Sequence, residues 1–252
     1  MVSSPNIGLP VHRLLIFGAC LAGGLLGGAE MRSLEPYRVD PLTESWRWQR
    51  LEGLEGKTMD IVEMGPDGNL VVVQVPNEIL TYDGLSWKQM ELPEGFSGRV
   101  INALHVSSRG HYCVVTNEAV FLFDGKSWDR IAETGMSRRA WDNIIETRDG
   151  ILWIGIDAGV VRLDPVTKDF RMAPSPAAVL SLCEGPDLQS IWVATAPRGE
   201  IWECPIRNGN LVPADQWVRR KSALQHEILA ISLMRASDGR IWQINNHHNL
   251  PA

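Results

Sequence analysis

The chain has little cysteine and still less tyrosine, no surplus of positive charge, and one long apolar stretch only, near its start. Four Cys in 252 residues, none at metal-ligand spacing, exclude a disulfide scaffold and a zinc module. Cys20 lies in the N-terminal stretch; Cys113, Cys183 and Cys204 remain, an odd set of which an oxidising compartment would permit one bridge. A formal net charge of −6 argues against nucleic acid or an anionic membrane surface as partner. The one basic cluster, Arg219-Arg220-Lys221, reads as a solvated loop. Apolar residues at helical spacing are missing after the start, which excludes a helical bundle. Gly-x-Ser-x-Gly, His-Glu-x-x-His and Gly-x-x-x-x-Gly-Lys are all absent, so no familiar hydrolase, zinc-protease or phosphate-loop chemistry is signalled, and no cofactor or metal is implied.

What the chain does have is ten Trp and a sentence repeated five times. Asp67-Gly68 opens a run of Leu and Val, then Asp83-Gly84-Leu-Ser-Trp87 closes the copy. Arg109-Gly110 and Asp124-Gly125-Lys-Ser-Trp128 do the same, followed by Asp149-Gly150-Ile-Leu-Trp153 and Gly159-Val-Val-Arg-Leu-Asp164. A blurred copy runs from Asp187 through Trp192 to Trp202, and a fifth begins Asp238-Gly239-Arg-Ile-Trp242. A spacing of about 40 residues with four short strands per copy is the signature of propeller blades. The Asp-Gly pairs fit two-residue hairpin turns that need positive φ. The Trp side chains are expected to fill the space between neighbouring blades; Trp46, Trp48 and Trp141 fall outside the strict repeat position and are left free to face a ligand.

The expected fold is therefore all-β: a β-propeller with four full blades and an incomplete fifth, at about 58–97, 98–136, 137–175, 176–222 and 223–252. Its innermost strands are expected at Asp60–Met64, Ile101–His105, Asn143–Glu146, Val179–Leu182 and Leu229–Leu233. Residues 30–57 form a linker with an orphan outer strand around Glu44–Leu51. That strand would either complete the fifth blade or mark a reading frame that ends early; a third account pairs two open arcs into one ring. Open blade faces would favour self-association.

Ile/Leu-Trp-Ile-Gly followed by Gly-Val-x-Arg-Leu-Asp, as at 152–164, resembles the repeat of two-component regulator propellers. The resemblance covers roughly 58–245. It implies a sensor β-propeller outside the membrane, related to bacterial hybrid histidine kinase receptors but here without a kinase of its own.

Residues 1–29 have the shape of a secretory signal peptide: polar to Arg13, apolar from Leu14, with small residues Gly27-Gly28-Ala29 before Glu30. The expected location is periplasmic or extracellular, with an uncleaved N-terminal anchor as the alternative. Cys20 departs from a lipidation site because Phe17 stands where a small aliphatic residue is usual.

Two function classes stay open. A sensing and binding module, not an enzyme, would use the loops at the mouth of the ring. Arg99, Arg138, Arg139 and Trp141 are its candidate ligand-binding residues, mixing guanidinium and aromatic groups suited to a small polar ligand such as a carbohydrate, or to a protein partner. A propeller lyase would instead place His and acidic side chains on the innermost strands, where His105 and Glu146 stand. A fragment of a longer receptor, with no ligand of its own, is the third reading. His247-His248 and His226-Glu227 are adjacent pairs that diverge in a strand and make poor metal sites.

Overall fold

The computed structural model describes residues 53–75, 77–96, 99–133, 143–197, 199–220 and 231–245. They fold as a β-propeller. The first blade is β1 (Met59–Met64), β2 (Leu70–Gln74), β3 (Glu78–Tyr82) and β4 (Trp87–Gln89), antiparallel in that order. The second is β5 (Ile101–Val106), β6 (Tyr112–Thr116), β7 (Ala119–Phe123) and β8 (Trp128–Glu133). The third is β9 (Ile144–Glu146), β10 (Leu152–Ile156), β11 (Gly159–Leu163) and β12 (Phe170–Pro174). The fourth has β13 (Val179–Glu184), β14 (Ser190–Thr195) and a long β15 (Glu200–Arg207), on which both β16 (Asn210–Leu211) and β17 (Val218–Arg220) pair. The fifth shows two strands, β18 (Ile231–Arg235) and β19 (Ile241–Asn245). Among the described residues no helix is long and apolar enough to cross a membrane; the expected signal segment, residues 1–29, and the Ser-Trp strand at 44–51 lie outside them.

The blades stack face to face, and each core belongs to two neighbours. Val71, Val73 and Ile79 of the first blade meet Ile101, Leu104 and Val114 of the second. On the opposite faces of β5 and β6, Ala103, Cys113 and Val115 meet Leu152, Ile154 and Val161 of the third. Trp153 and Val160 then meet Val179, Leu182 and Val193 of the fourth. Cys183, Ala194 and Ile201 meet Leu233 of the fifth. An inner blade is covered on both faces, so its central strands need apolar side chains at every position rather than alternating ones. This is why β10 reads Leu-Trp-Ile-Gly-Ile and is buried throughout. The first and last described blades differ: Val62 and Met64 on β1, and Trp242 and Ile244 on β19, are exposed.

The tryptophans divide by role. Trp153 and Trp217 are buried between blades, whereas Trp87 and Trp128 are half-buried at the outer strands. Trp128 donates Nε1–H to the Glu91 carbonyl of the preceding blade at 2.8 Å.

The turn chemistry departs from expectation at the inner hairpins. Gly68 N–H donates to the Gly65 carbonyl, and Gly65 N–H to the Asn69 carbonyl. These bonds enclose three residues, with Gly68 at φ +81° closing a type I turn. The expected two-residue loop is too short by one. The fourth repeat is blurred because an extra hairpin is inserted: Arg207 pairs with Asn210 across Asn208-Gly209, both at positive φ, as an Asn-Gly type I′ turn requires.

Candidate functional site

Three consecutive innermost strands each end in a hairpin turn, and near those ends they bring together Glu63 of β1, His105 of β5 and Glu146 of β9. His105 Nδ1 is 3.8 Å from Glu63 Oε1, and its Nε2 is 3.5 Å from Glu146 Oε2. Glu146 is anchored from the neighbouring blade: Ser108 donates its backbone N–H to Oε2 at 2.6 Å and its hydroxyl to Oε1 at 2.7 Å. The Nε2 contact is too long and too poorly aligned to be a hydrogen bond, so that buried nitrogen has no hydrogen-bond partner. Glu146 and His105 are mostly buried, and Glu63 is more open. An imidazole held between two carboxylates attracts cations and hydroxyl donors, and imidazole is the side chain most often used as a general acid or base. Among the described residues no group of three or more His, Cys, Asp or Glu is arranged to hold a metal ion.

The sequence reading named His105 and Glu146, and the structure brings them together. It missed Glu63. Glu63 and His105 stand at the same place in successive repeats, two residues before the turn that Gly65 and Ser107 begin; that equivalence was the available signal.

Arg99 is elsewhere. It precedes β5 and so lies at the opposite end of the innermost strand from His105. Its Nε donates to the Gly95 carbonyl at 2.8 Å, a terminal nitrogen pairs with Glu118 at 2.9 Å, and its plane lies 5.8 Å from the Phe121 ring centre. These bonds fasten the loop to the second blade, and Arg99 Nη1 is buried without a hydrogen-bond partner. Arg138, Arg139 and Trp141 lie outside the described residues, as do His226, Glu227, His247 and His248.

The remaining cysteines are free and buried. Burial pushes the Cys113 and Cys183 thiols up to about 12, and raises Cys204 likewise. Cys113 and Cys183 sit in the blade cores as small apolar residues, as expected.

No family model and no curated protein sequence matches the chain. Solved structures do. A catalytically inactive histidine-to-alanine form of virginiamycin B lyase from Staphylococcus aureus, with quinupristin, superposes with a TM-score of 0.57 at 15% identity, over 78% of this chain and 66% of the lyase. A streptogramin B lyase gives 0.54 at 16%, over 74% and 61%. A putative gluconolactonase gives 0.52 at 14%, over 74% and 71%. The chain thus spans just under two thirds of the length of these lyases. At such identities the likeness shows the fold, a β-propeller, and no family model singles out the two-component regulator kind. It also overturns the expectation that the chain is not an enzyme, since the solved structures it superposes on include lyases.

Proposed function

We propose that this chain is a ligand-binding β-propeller whose site is the Glu63–His105–Glu146 cluster, and that its ligand is a small polar molecule bearing an amine, an amino sugar being the simplest representative. The observation that carries the reading is the imidazole flanked by carboxylates from both neighbouring blades. Two carboxylates against one imidazole favour a positive group, and Ser108 fixes one of them in place so that little ordering is left for binding. The sensing role and the relation to two-component signalling rest on the 152–164 motif, and export rests on residues 1–29. Calorimetric titration with glucosamine and with N-acetylglucosamine tests the ligand class. Binding of the amine alone, weakened about tenfold in Glu63→Gln, is expected from the loss of one charged contact. Equal binding of both sugars, or none, refutes it. Export is checked by the N-terminus of secreted protein, expected at Glu30.

A second reading, acid–base catalysis at the same cluster, is favoured by one observation: Glu146 is immobilised at 3.5 Å from the imidazole, as a group that orients a catalytic base would be. The lyase above loses activity when a histidine becomes alanine. Chromatography of quinupristin incubated with the chain, and with His105→Ala, tests it: conversion lost in the variant supports catalysis, and an unchanged substrate refutes it for that compound.

A further inference from the structure

We propose a second, separate binding site in the groove between the third and fourth blades, and that it takes a small organic carboxylate with a compact apolar body. The register of the third blade creates the groove's wall. Trp153 on β10 pairs with Arg162 on β11, and Arg162 pairs with Arg171 on β12. An indole and two guanidinium groups therefore stand in one row on the face turned toward the fourth blade. Asn210 and Leu211, from the inserted hairpin strand β16, supply the facing wall, and the cavity between them measures about 180 Å³.

The two arginines of this groove share one carboxylate: Asp169 Oδ2 lies 3.1 Å from Arg162 and 3.1 Å from Arg171. Asp164 also feels the charge of Arg162, which leaves the exposed Arg171 without a carboxylate to itself. The hydrogen-bond count does not balance. Arg162 Nε and Trp153 Nε1 are both buried donors without a partner, and buried donors are ordinarily satisfied. Two other buried or half-buried indoles are satisfied: Trp128 donates to the Glu91 carbonyl and Trp217 donates to the Val212 carbonyl at 2.9 Å. Trp192 and Trp202 also leave Nε1 unpartnered, but in this groove the orphan indole stands beside a second orphan donor on the adjoining strand. Asn210 bonds to neither: its Oδ1 accepts from Arg171 at 3.3 Å and its Nδ2 donates to the Asn208 carbonyl.

The groove thus offers two unsatisfied donors beside a pair of guanidinium groups, which favours an anion. Its other walls are apolar, with Met172 half exposed over the entrance beside Leu211. A fully hydrated inorganic ion gains nothing from such walls, whereas a carboxylate on a compact ring or short chain satisfies both halves. Arg171 is the gatekeeping residue, since it is largely exposed and reaches across to the fourth blade.

The test is calorimetric titration of the purified chain with benzoate, with its neutral amide benzamide, and with inorganic phosphate. Benzoate is expected to saturate one site, with benzamide and phosphate each at least tenfold weaker. Arg171→Gln is expected to weaken benzoate about tenfold, the loss of one charged hydrogen bond, and its exposure makes it safe for folding. Trp153→Phe, which keeps an aromatic ring in the core and deletes the donor, is expected to weaken benzoate several-fold while leaving the far-UV circular dichroism spectrum unchanged. No saturable benzoate binding overturns the site. Equal affinity for benzamide, or undiminished binding in Arg171→Gln, overturns the role of charge. Phosphate binding as tightly as benzoate overturns the apolar half of the assignment.

Discussion

Ser108 holds Glu146 with two hydrogen bonds, at 2.6 and 2.7 Å, although the two residues belong to different blades. The bond pair clamps the turn of one hairpin onto the last residue of the next innermost strand, beside His105. Ser108→Ala removes the hydroxyl half and keeps the backbone half. A loss of roughly 1 kcal/mol in urea unfolding is expected for one such bond, together with weaker amine binding.

Trp153 is 3% exposed at the boundary of the third and fourth blades. Trp153→Ala should cost roughly 3–5 kcal/mol, the range for emptying a large aromatic site. Wild-type stability in that variant would mean the side chain does not fill the interblade space.

Gly159 opens β11 where its neighbour β12 passes closest. A Cβ there would stand 2.2 Å from the Ala173 carbonyl oxygen and 2.9 Å from Pro174 Cα, both backbone atoms with no room to give. Gly159→Ala is expected to destabilise by roughly 1–3 kcal/mol or more, as overpacking does, whereas Gly56→Ala, which meets nothing nearby, isolates the cost of positive φ. Thermal melts of the two variants separate the effects.

The outer hairpin turns set an acid limit. Asp124 accepts the backbone N–H groups of Ser127 and Lys126, each at 2.9 Å, and these bonds hold its carboxyl below the ordinary value of 3.8. Asp83 is lowered in the same way by Ser86 and Leu85, with help from Lys88. A pKa depressed in the folded state gives stability that is present above the unfolded value and lost as pH falls through the folded one. Stability is therefore expected to hold above about pH 4 and to fall below it. Asp124→Asn should flatten that fall, as read from urea midpoints against pH.

Cys113, Cys183 and Cys204 are expected to resist alkylation in the native chain and to react in denaturant, since thiolate formation is opposed by burial. Peptide mapping after iodoacetamide treatment reads each site separately. Rapid native labelling of Cys113 would show that the second and third blades part readily.

The blades were legible because a physical requirement recurs at each copy. A glycine such as Gly150 must close the inner turn at φ +81°, and a strand such as β10 must be apolar at every position. The fourth blade was less legible because Asn208-Gly209 inserts a hairpin that displaces the outer strand to Val218–Arg220. For the site, His105 and Glu146 could be found by asking what the innermost strands carry. Glu63 stands one repeat before His105 at the same position, a signal of place alone, because its pairing with His105 depends on how one blade is set against the next. The Trp153–Arg162–Arg171 row was hidden for a related reason: the loop between β11 and β12 fixes which residues face each other, and the sequence does not show its register. The partners of Arg99 were hidden too, because Gly95, Glu118 and Phe121 meet it only once the second blade has folded.

Among the described residues each core is shared by two blades and by no third, which has a mechanical consequence. Held at its two ends and stretched, such a chain has no central mass that must yield at once. Tension would reach one interface at a time, and the force–extension trace should be a sawtooth with a tooth for each blade. The tooth for the boundary sealed by Trp153 should shrink in Trp153→Ala.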